Sequence, residues 1–339
     1  MSKTPFVIIG ENIHCTRIYK RDGKFARTLD NGSAVIFYKA GGEERQLPVP
    51  EVFTSSDDWE NGKVRHCAVA VWQGMNGDEA ARAAGVDYLH SMAKRQERAG
   101  AAFLDINLDE FSTDTDEKTR AMTWTVGVVQ QATALPMSID SSSPEVLRVG
   151  LAACDRARGK PMINSVSLER LDAVALAAEF DAAVVASAAG KSGLPSTTEE
   201  KLANISELMP HLASAGIDKN ATYIDPLVLP ISTDPANGSG FLGAVSAMRQ
   251  AYGADIHITG GFSNVSFGMP KRKLINQVFT YLAVEAGADS GIVDPTHINA
   301  AVLDGIDTDS EAFGLAKALL TGEDDFGMNF IMASREGRL

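Results

Sequence analysis

GGFSNVSFGMPKRKLIN, residues 260 to 276, lies between two segments of different periodicity. Before it, Asp255-Ile256-His257-Ile258-Thr259 alternates and reads as a buried strand. After it, Leu274, Ile275, Val278, Phe279 and Leu282 recur on one face of a helix. Gly260 and Gly261 permit a tight turn or a close approach to a ligand. Asn264 therefore stands just past a strand end, in a strand-to-helix loop, where α/β folds keep their chemistry. The plainer role for it is a cap on the next helix.

The same strand–loop–helix unit recurs outward from this stretch. Phe6-Val7-Ile8-Ile9-Gly10 fits a central parallel strand. Further strands are expected at 102–107, 136–140, 161–165, 182–187, 221–225 and 290–294, with a helix after each. Eight strands each followed by a helix predict a (β/α)₈ barrel, α/β in class and single-domain over 1–339. No GxGxxG follows the first strand, which weakens a doubly wound sheet. The regular alternation breaks only over residues 15 to 78, taken as an insertion after the first strand. There Lys24–Leu29 and Ala34–Tyr38 flank Asp30-Asn31-Gly32-Ser33 and predict a β-hairpin. Gly41 to Gly77 is rich in Pro, Gly, Ser and Asp and reads as loop.

The 339 residues carry a net charge of −13, with 45% hydrophobic and 22% charged residues, a globular composition. The acidic excess argues against a nucleic-acid backbone as partner. The insertion is nearly neutral, so the excess lies in the rest of the chain. Three cysteines, Cys15, Cys67 and Cys154, have no metal-site spacing and read as reduced thiols. No apolar run is long enough to span a membrane and no signal peptide opens the chain, so a cytoplasmic protein is expected.

The predicted strand ends carry Glu11 and Asn12, Asp105 and Asn107, Asp140, Asn164, Asp225, Asn264 and Asp294. Carboxylates only accept hydrogen bonds, whereas amides donate and accept. Such groups suit a flat heterocycle with donors and acceptors on its edge, not a phosphate, and no three-histidine zinc pattern is present. Taken singly, a strand-end Asp is often a helix cap or an ion-pair member. Of the histidines, His14 is near the strand ends, His257 reads as a packed core residue, and His297 opens the last helix.

SIDSSS around Asp140, MINS around Asn164, YIDPL around Asp225 and SNVSFG around Asn264 resemble the pterin-binding barrel of methyltetrahydrofolate:corrinoid methyltransferases. They are similar also to the folate-binding domain of cobalamin-dependent methionine synthase. GENIH at 10–14 and DINLD at 105–109 look like that family's first two strand ends, so the resemblance covers about 6–14 and 80–305. It implies that Asp140, Asn164 and Asp225 hold the pterin's amino-pyrimidinone edge, with Glu11 and Asn107 beside them. Asn264 would hydrogen-bond near the methyl-bearing N5, and Arg272 would lie beside the folate. It implies methyltetrahydrofolate as substrate and cobalamin on a separate corrinoid-binding protein as the other reactant; a homodimer is expected because barrels commonly oligomerise. No metal ligand set is implied. An amide can donate to N5 but cannot protonate it, so the acid is a water or a carboxylate such as Asp105. The insertion departs from the family pattern and is expected to affect how the partner docks.

Dihydropteroate synthase is the nearest alternative. It must bind a pyrophosphate and carries a Ser-x-Arg near the eighth strand, where this chain has Gly291-Ile292-Val293-Asp294-Pro295. Lys271 and Arg272 would mimic only part of that pattern. A Schiff-base aldolase would want a buried lysine within a strand, and no predicted strand holds one. A non-catalytic folate-binding module of a larger assembly would differ only in lacking turnover.

Overall fold

The computed structural model describes residues 6–191 and 193–339. Eight strands alternate with helices: β1 (Val7–His14), β2 (Phe103–Asn107), β3 (Met137–Asp140), β4 (Met162–Val166), β5 (Ala183–Ser187), β6 (Thr222–Asp225), β7 (His257–Ile258) and β8 (Ser290–Val293). Their order in one sheet is β7-β6-β5-β4-β3-β2-β1-β8. The register of β1 on β8, β2 on β3, β4 on β5, β5 on β6 and β6 on β7 is parallel. After β7, a parallel bridge joins Gly261 to Ile292, and the Ile292 N–H donates to the Gly260 carbonyl at 2.9 Å. Sequential order with joined ends is the connectivity of a (β/α)₈ barrel.

The contacts divide the chain into two units. One comprises the stretch ending at Gly10, Ala99–Ala102 and Met162–Leu339; the other comprises Glu11–Arg98 and Phe103–Pro161.

In the first unit, the opening strand is shorter than expected, only His257–Ile258. Phe241, Phe262 and Phe279 are fully buried with ring centroids 5.3 to 5.7 Å apart. A Cβ at Gly260 would lie 2.9 Å from the Phe262 ring and 3.1 Å from that of Phe241. Gly260 is thus needed for core packing. Asn264 lies in a 3₁₀ turn, Phe262–Ser266, and does not cap the next helix. That helix, Arg272–Ala286, starts from Lys271 in the left-handed region, φ 54°. His257 is not a packed core histidine: its side chain is 28% exposed, stacks on Tyr223 and meets Asp289 at 3.0 Å.

In the second unit, Ala26–Thr28 and Ala34–Ala40 pair antiparallel, and Glu43–Pro48 adds a third strand. The expectation of loop from Gly41 to Gly77 fails. Besides that strand, the segment holds helices Glu51–Thr54 and Asp57–Glu60, strand Lys63–Arg65 and helix His66–Asn76. Helix His66–Asn76 starts at Arg65 with no side-chain cap, so no start signal marks it. Its Cys67 to Val71 run is buried, and it lies close to helix Glu79–Arg98. A Cβ at Gly85 would stand 2.5 Å from the Ala70 carbonyl oxygen, a backbone approach only glycine allows. The hairpin is tied to the same helix, since Tyr38 and Arg45 both donate to the Asp87 carboxylate at 2.7 Å.

Candidate functional site

Each unit carries its own set of strand-end groups. In the second unit the centre is Asp105, wholly buried in β2. Its Oδ1 accepts from Ser138 Oγ at 2.5 Å, and its Oδ2 contacts His14 Nε2 at 2.6 Å. Register explains both contacts: Asp105 stands opposite Ser138 in β3, and His14 ends β1. His14 Nε2 is also 4.0 Å from Asp140 Oδ2 at the end of β3. Asn107 is the register partner of Asp140 and hydrogen-bonds its carboxylate. Glu11 is 8% exposed and receives Arg17 Nη2 at 2.7 Å.

Charges of one sign are crowded here. Burial pushes the Asp140 carboxyl up, as does the Asp105 charge; His14 and Asn107 oppose this, and the result is about 7. Burial pulls the His14 imidazole down, but the Asp105 hydrogen bond and the charges of Asp105, Asp140 and Glu11 outweigh it. The imidazole is therefore held above its ordinary value. The donor atoms of His14, Asp105 and Asp140 lie within 4.8 Å of one another. Two ligands at about 2.1 Å on a tetrahedral ion would sit about 3.4 Å apart. The 2.6 Å His14–Asp105 contact is shorter than that and is a hydrogen bond, with Asp140 4.0 Å from the same nitrogen. Asp109 closes the cluster by accepting from Ser141 Oγ, Ser142 N and Ser142 Oγ at 2.5 to 2.8 Å.

In the first unit, Asp225 ends β6 and accepts the Leu227 N–H at 2.8 Å. Leu227 itself takes φ 66°, in the left-handed region. Burial pushes Asp225 up to about 6, against the Leu227 N–H and the Lys201 charge. Lys201 projects from helix Thr198–Ser214 and is 5% exposed; burial lowers its ammonium while Asp225 raises it. Asn164 lies in β4 where the register with β5 slips: Val185 faces Asn164 and Ala186 faces Val166, a bulge that re-aims side chains. Gly261 makes room for the Asn264 amide, since a Cβ there would be 2.9 Å from Nδ2. Arg272 braces the same turn. It donates to Ser266 Oγ at 3.0 Å and the Ser263 carbonyl at 2.9 Å, and lies 4.4 Å over the Phe267 ring.

Of the residues expected from sequence, Glu11, Asp105, Asn107 and Asp140 thus fall in one unit around His14. Asn164, Asp225, Asn264 and Arg272 fall in the other. Sequence reasoning gave His14 little weight because its partner is 91 residues away. Lys201 gave no signal, since TEEKLAN reads as an exposed first turn behind the Thr197–Glu200 capping box.

Residues 78–294 match the family model described as "Pterin binding enzyme". A methylcorrinoid:tetrahydrofolate methyltransferase of Eubacterium limosum is 34% identical over 215 residues, 62% of this chain and 76% of that protein. The methionine synthase of Mycobacterium leprae (strain TN) is 32% identical over 222 residues, 61% of this chain but 18% of that protein. Among solved structures, dihydropteroate synthase of Xanthomonas albilineans aligns with TM-score 0.53 at 23% identity, over 65% of this chain and 84% of that one. The 7,8-dihydropteroate synthase of Vibrio fischeri ES114 aligns with TM-score 0.51 at 18% identity, over 70% and 85%. At such identities these two show the fold, the (β/α)₈ barrel expected from sequence, and no more.

Proposed function

The chain belongs to the pterin binding enzyme family, and from that premise we propose that it moves a methyl group between N5 of methyltetrahydrofolate and the cobalamin of a separate corrinoid protein. The observation that carries this reading is the 34% identity to a methylcorrinoid:tetrahydrofolate methyltransferase over 76% of that relative's length.

The residue chemistry supports it. A pterin edge presents an exocyclic amine and a ring N–H side by side, which a carboxylate accepts as a bidentate pair. Asp140 and Asp225 are half-buried strand-end carboxylates that burial makes costly to ionise alone. Paired N–H donors from a ligand would offset that cost. We assign Asp140, Asn164 and Asp225 to the pterin edge, with Glu11 and Asn107 as neighbours. Asn264 is assigned to a hydrogen bond at N5, strengthening as charge builds there in the transition state. Arg272 is assigned to the folate side of the Ser263–Phe267 turn that it braces.

The test is label transfer. Methyl-labelled methyltetrahydrofolate mixed with the protein and reduced free cobalamin should give labelled methylcobalamin. No transfer, or formation of dihydropteroate from a pterin pyrophosphate and 4-aminobenzoate, would overturn the reading. No helix among the described residues is long and apolar enough to cross a membrane.

A further inference from the structure

We propose that His14, held by Asp105, is a positioning residue that keeps Asp140 in the carboxylate form able to accept the pterin edge. The inference rests on the function proposed above and adds to it a residue to which the resemblance gave no role.

The geometry runs through three strands. Ser138 in β3 and His14 at the end of β1 occupy the two oxygens of buried Asp105 in β2. Asp105 is therefore tied into the fold and orients the imidazole, the part a third group plays in a catalytic triad. The donor contact at Nε2 fixes the ring 4.0 Å from Asp140 Oδ2. Asp140 faces Asp105 across the strand pair and Asp109 from the following loop, both like-charged. Opposing them are His14 and the Asn107 amide. Around His14 stand Asp105, Asp140 and Glu11, the last already paired to Arg17. The imidazolium is thus a near cation that opposes the like charges around Asp140 and favours its carboxylate form. Without it, a carboxylate facing like charges in a half-buried place binds a proton. A protonated Asp140 can no longer accept two N–H donors.

The role has a signature that a packing role lacks. His14→Gln keeps an amide donor for Asp105 and removes the charge. The acid limb of the pH profile for methyltetrahydrofolate binding should then move up by about one pH unit or more. By the tenfold-per-unit relation, calorimetry at pH 6 should show binding at least about tenfold weaker than wild type. At pH 9, where Asp140 is ionised in both proteins, the affinities should agree within about threefold. Equal losses at pH 6 and pH 9, or none at either, would overturn the proposal. His14→Asn, also neutral, is the second arm and serves if His14→Gln does not fold. Its acid limb should move up in the same direction, and an unmoved limb overturns the proposal. Wild type that binds no methyltetrahydrofolate at any pH would overturn the function reading itself. Wild-type binding with an unshifted variant profile would remove only the assignment of His14.

Discussion

Two histidine–aspartate pairs in this protein make nearly the same contact in opposite surroundings. His14 meets Asp105 at 2.6 Å where β1 ends, and His257 meets Asp289 at 3.0 Å where β7 and β8 begin. Asp289 also receives the Ile258 N–H at 2.8 Å, and Arg249 Nη2 lies 3.3 Å away. Burial alone would raise the Asp289 carboxyl, but His257, Ile258 and Arg249 together hold it below the usual range. Near His14 the neighbours are carboxylates, and Asp140 is driven up to about 7. The first pair leaves like charges in conflict, and the second settles each charge with a partner. In barrels of this kind the strand starts serve stability and the strand ends serve chemistry. Conflict that folding alone would not select is therefore evidence of a site.

The largest effect should come from breaking the settled pair. Asp289→Ala strands His257 and Arg249 and should cost about 3 kcal/mol of stability in urea unfolding. Because Asp289 has its carboxyl held low, its contribution is present above the ordinary carboxylate value and lost as pH falls through the folded one. The gap between variant and wild type should therefore close in acid, while folate affinity of the folded variant stays within about twofold. A large affinity loss would mean that the strand starts also serve the ligand. Next in size is the strand-end side. Asn264→Ala should slow single-turnover methyl transfer by about fiftyfold and change folate affinity far less. Equal losses would reduce Asn264 to a binding residue.

How much of this contrast could be read in the sequence follows from how local each signal is. The eight β/α units were legible because periodicity is local, and the strand-end Asp and Asn residues because each follows an apolar run. The two His–Asp pairs were not, since which histidine meets which aspartate depends on register across strands. His257 looked like core because its neighbours Ile256 and Ile258 are apolar, yet its ring turns toward Asp289. Helix His66–Asn76 was hidden because Gly74 and Gly77 read as loop residues. Gly74 is instead needed for space, as a Cβ there would collide with the Trp124 ring. Lys201 was hidden by the polar first turn in which it lies.

Asp140→Ala tests the strand-end side by binding. Losing one partner of a charge-assisted pair costs about 1.5–3 kcal/mol, so methyltetrahydrofolate should bind at least about tenfold more weakly by calorimetry. Unchanged affinity in a folded variant would separate the charge conflict from the ligand. Asp225→Ala is the companion variant, and its loss should be of similar size if both carboxylates hold the pterin edge.

The smallest effect is the most direct measure of the conflict itself. Asp140→Asn keeps the shape and the hydrogen bonding but removes a carboxyl that burial and Asp105 make hard to ionise. A carboxyl raised in the folded state holds its proton better there than in the unfolded chain. Its contribution is therefore present below the ordinary carboxylate value and lost as pH rises through the folded value, between about 4 and about 7. Asn does not titrate and loses nothing over that range. At or below about pH 4 the two proteins should unfold at similar urea concentrations. At pH 8 the variant should be the more stable, by about 1 kcal/mol once the 25% exposure of Asp140 is allowed for. The same variant should bind methyltetrahydrofolate poorly at both pH values, the trade expected where a functional group is kept against the fold's preference. Wild type as stable as the variant at pH 8 would show that His14 and Asn107 settle Asp140 as fully as Arg249 and His257 settle Asp289, and the contrast between the two pairs would collapse.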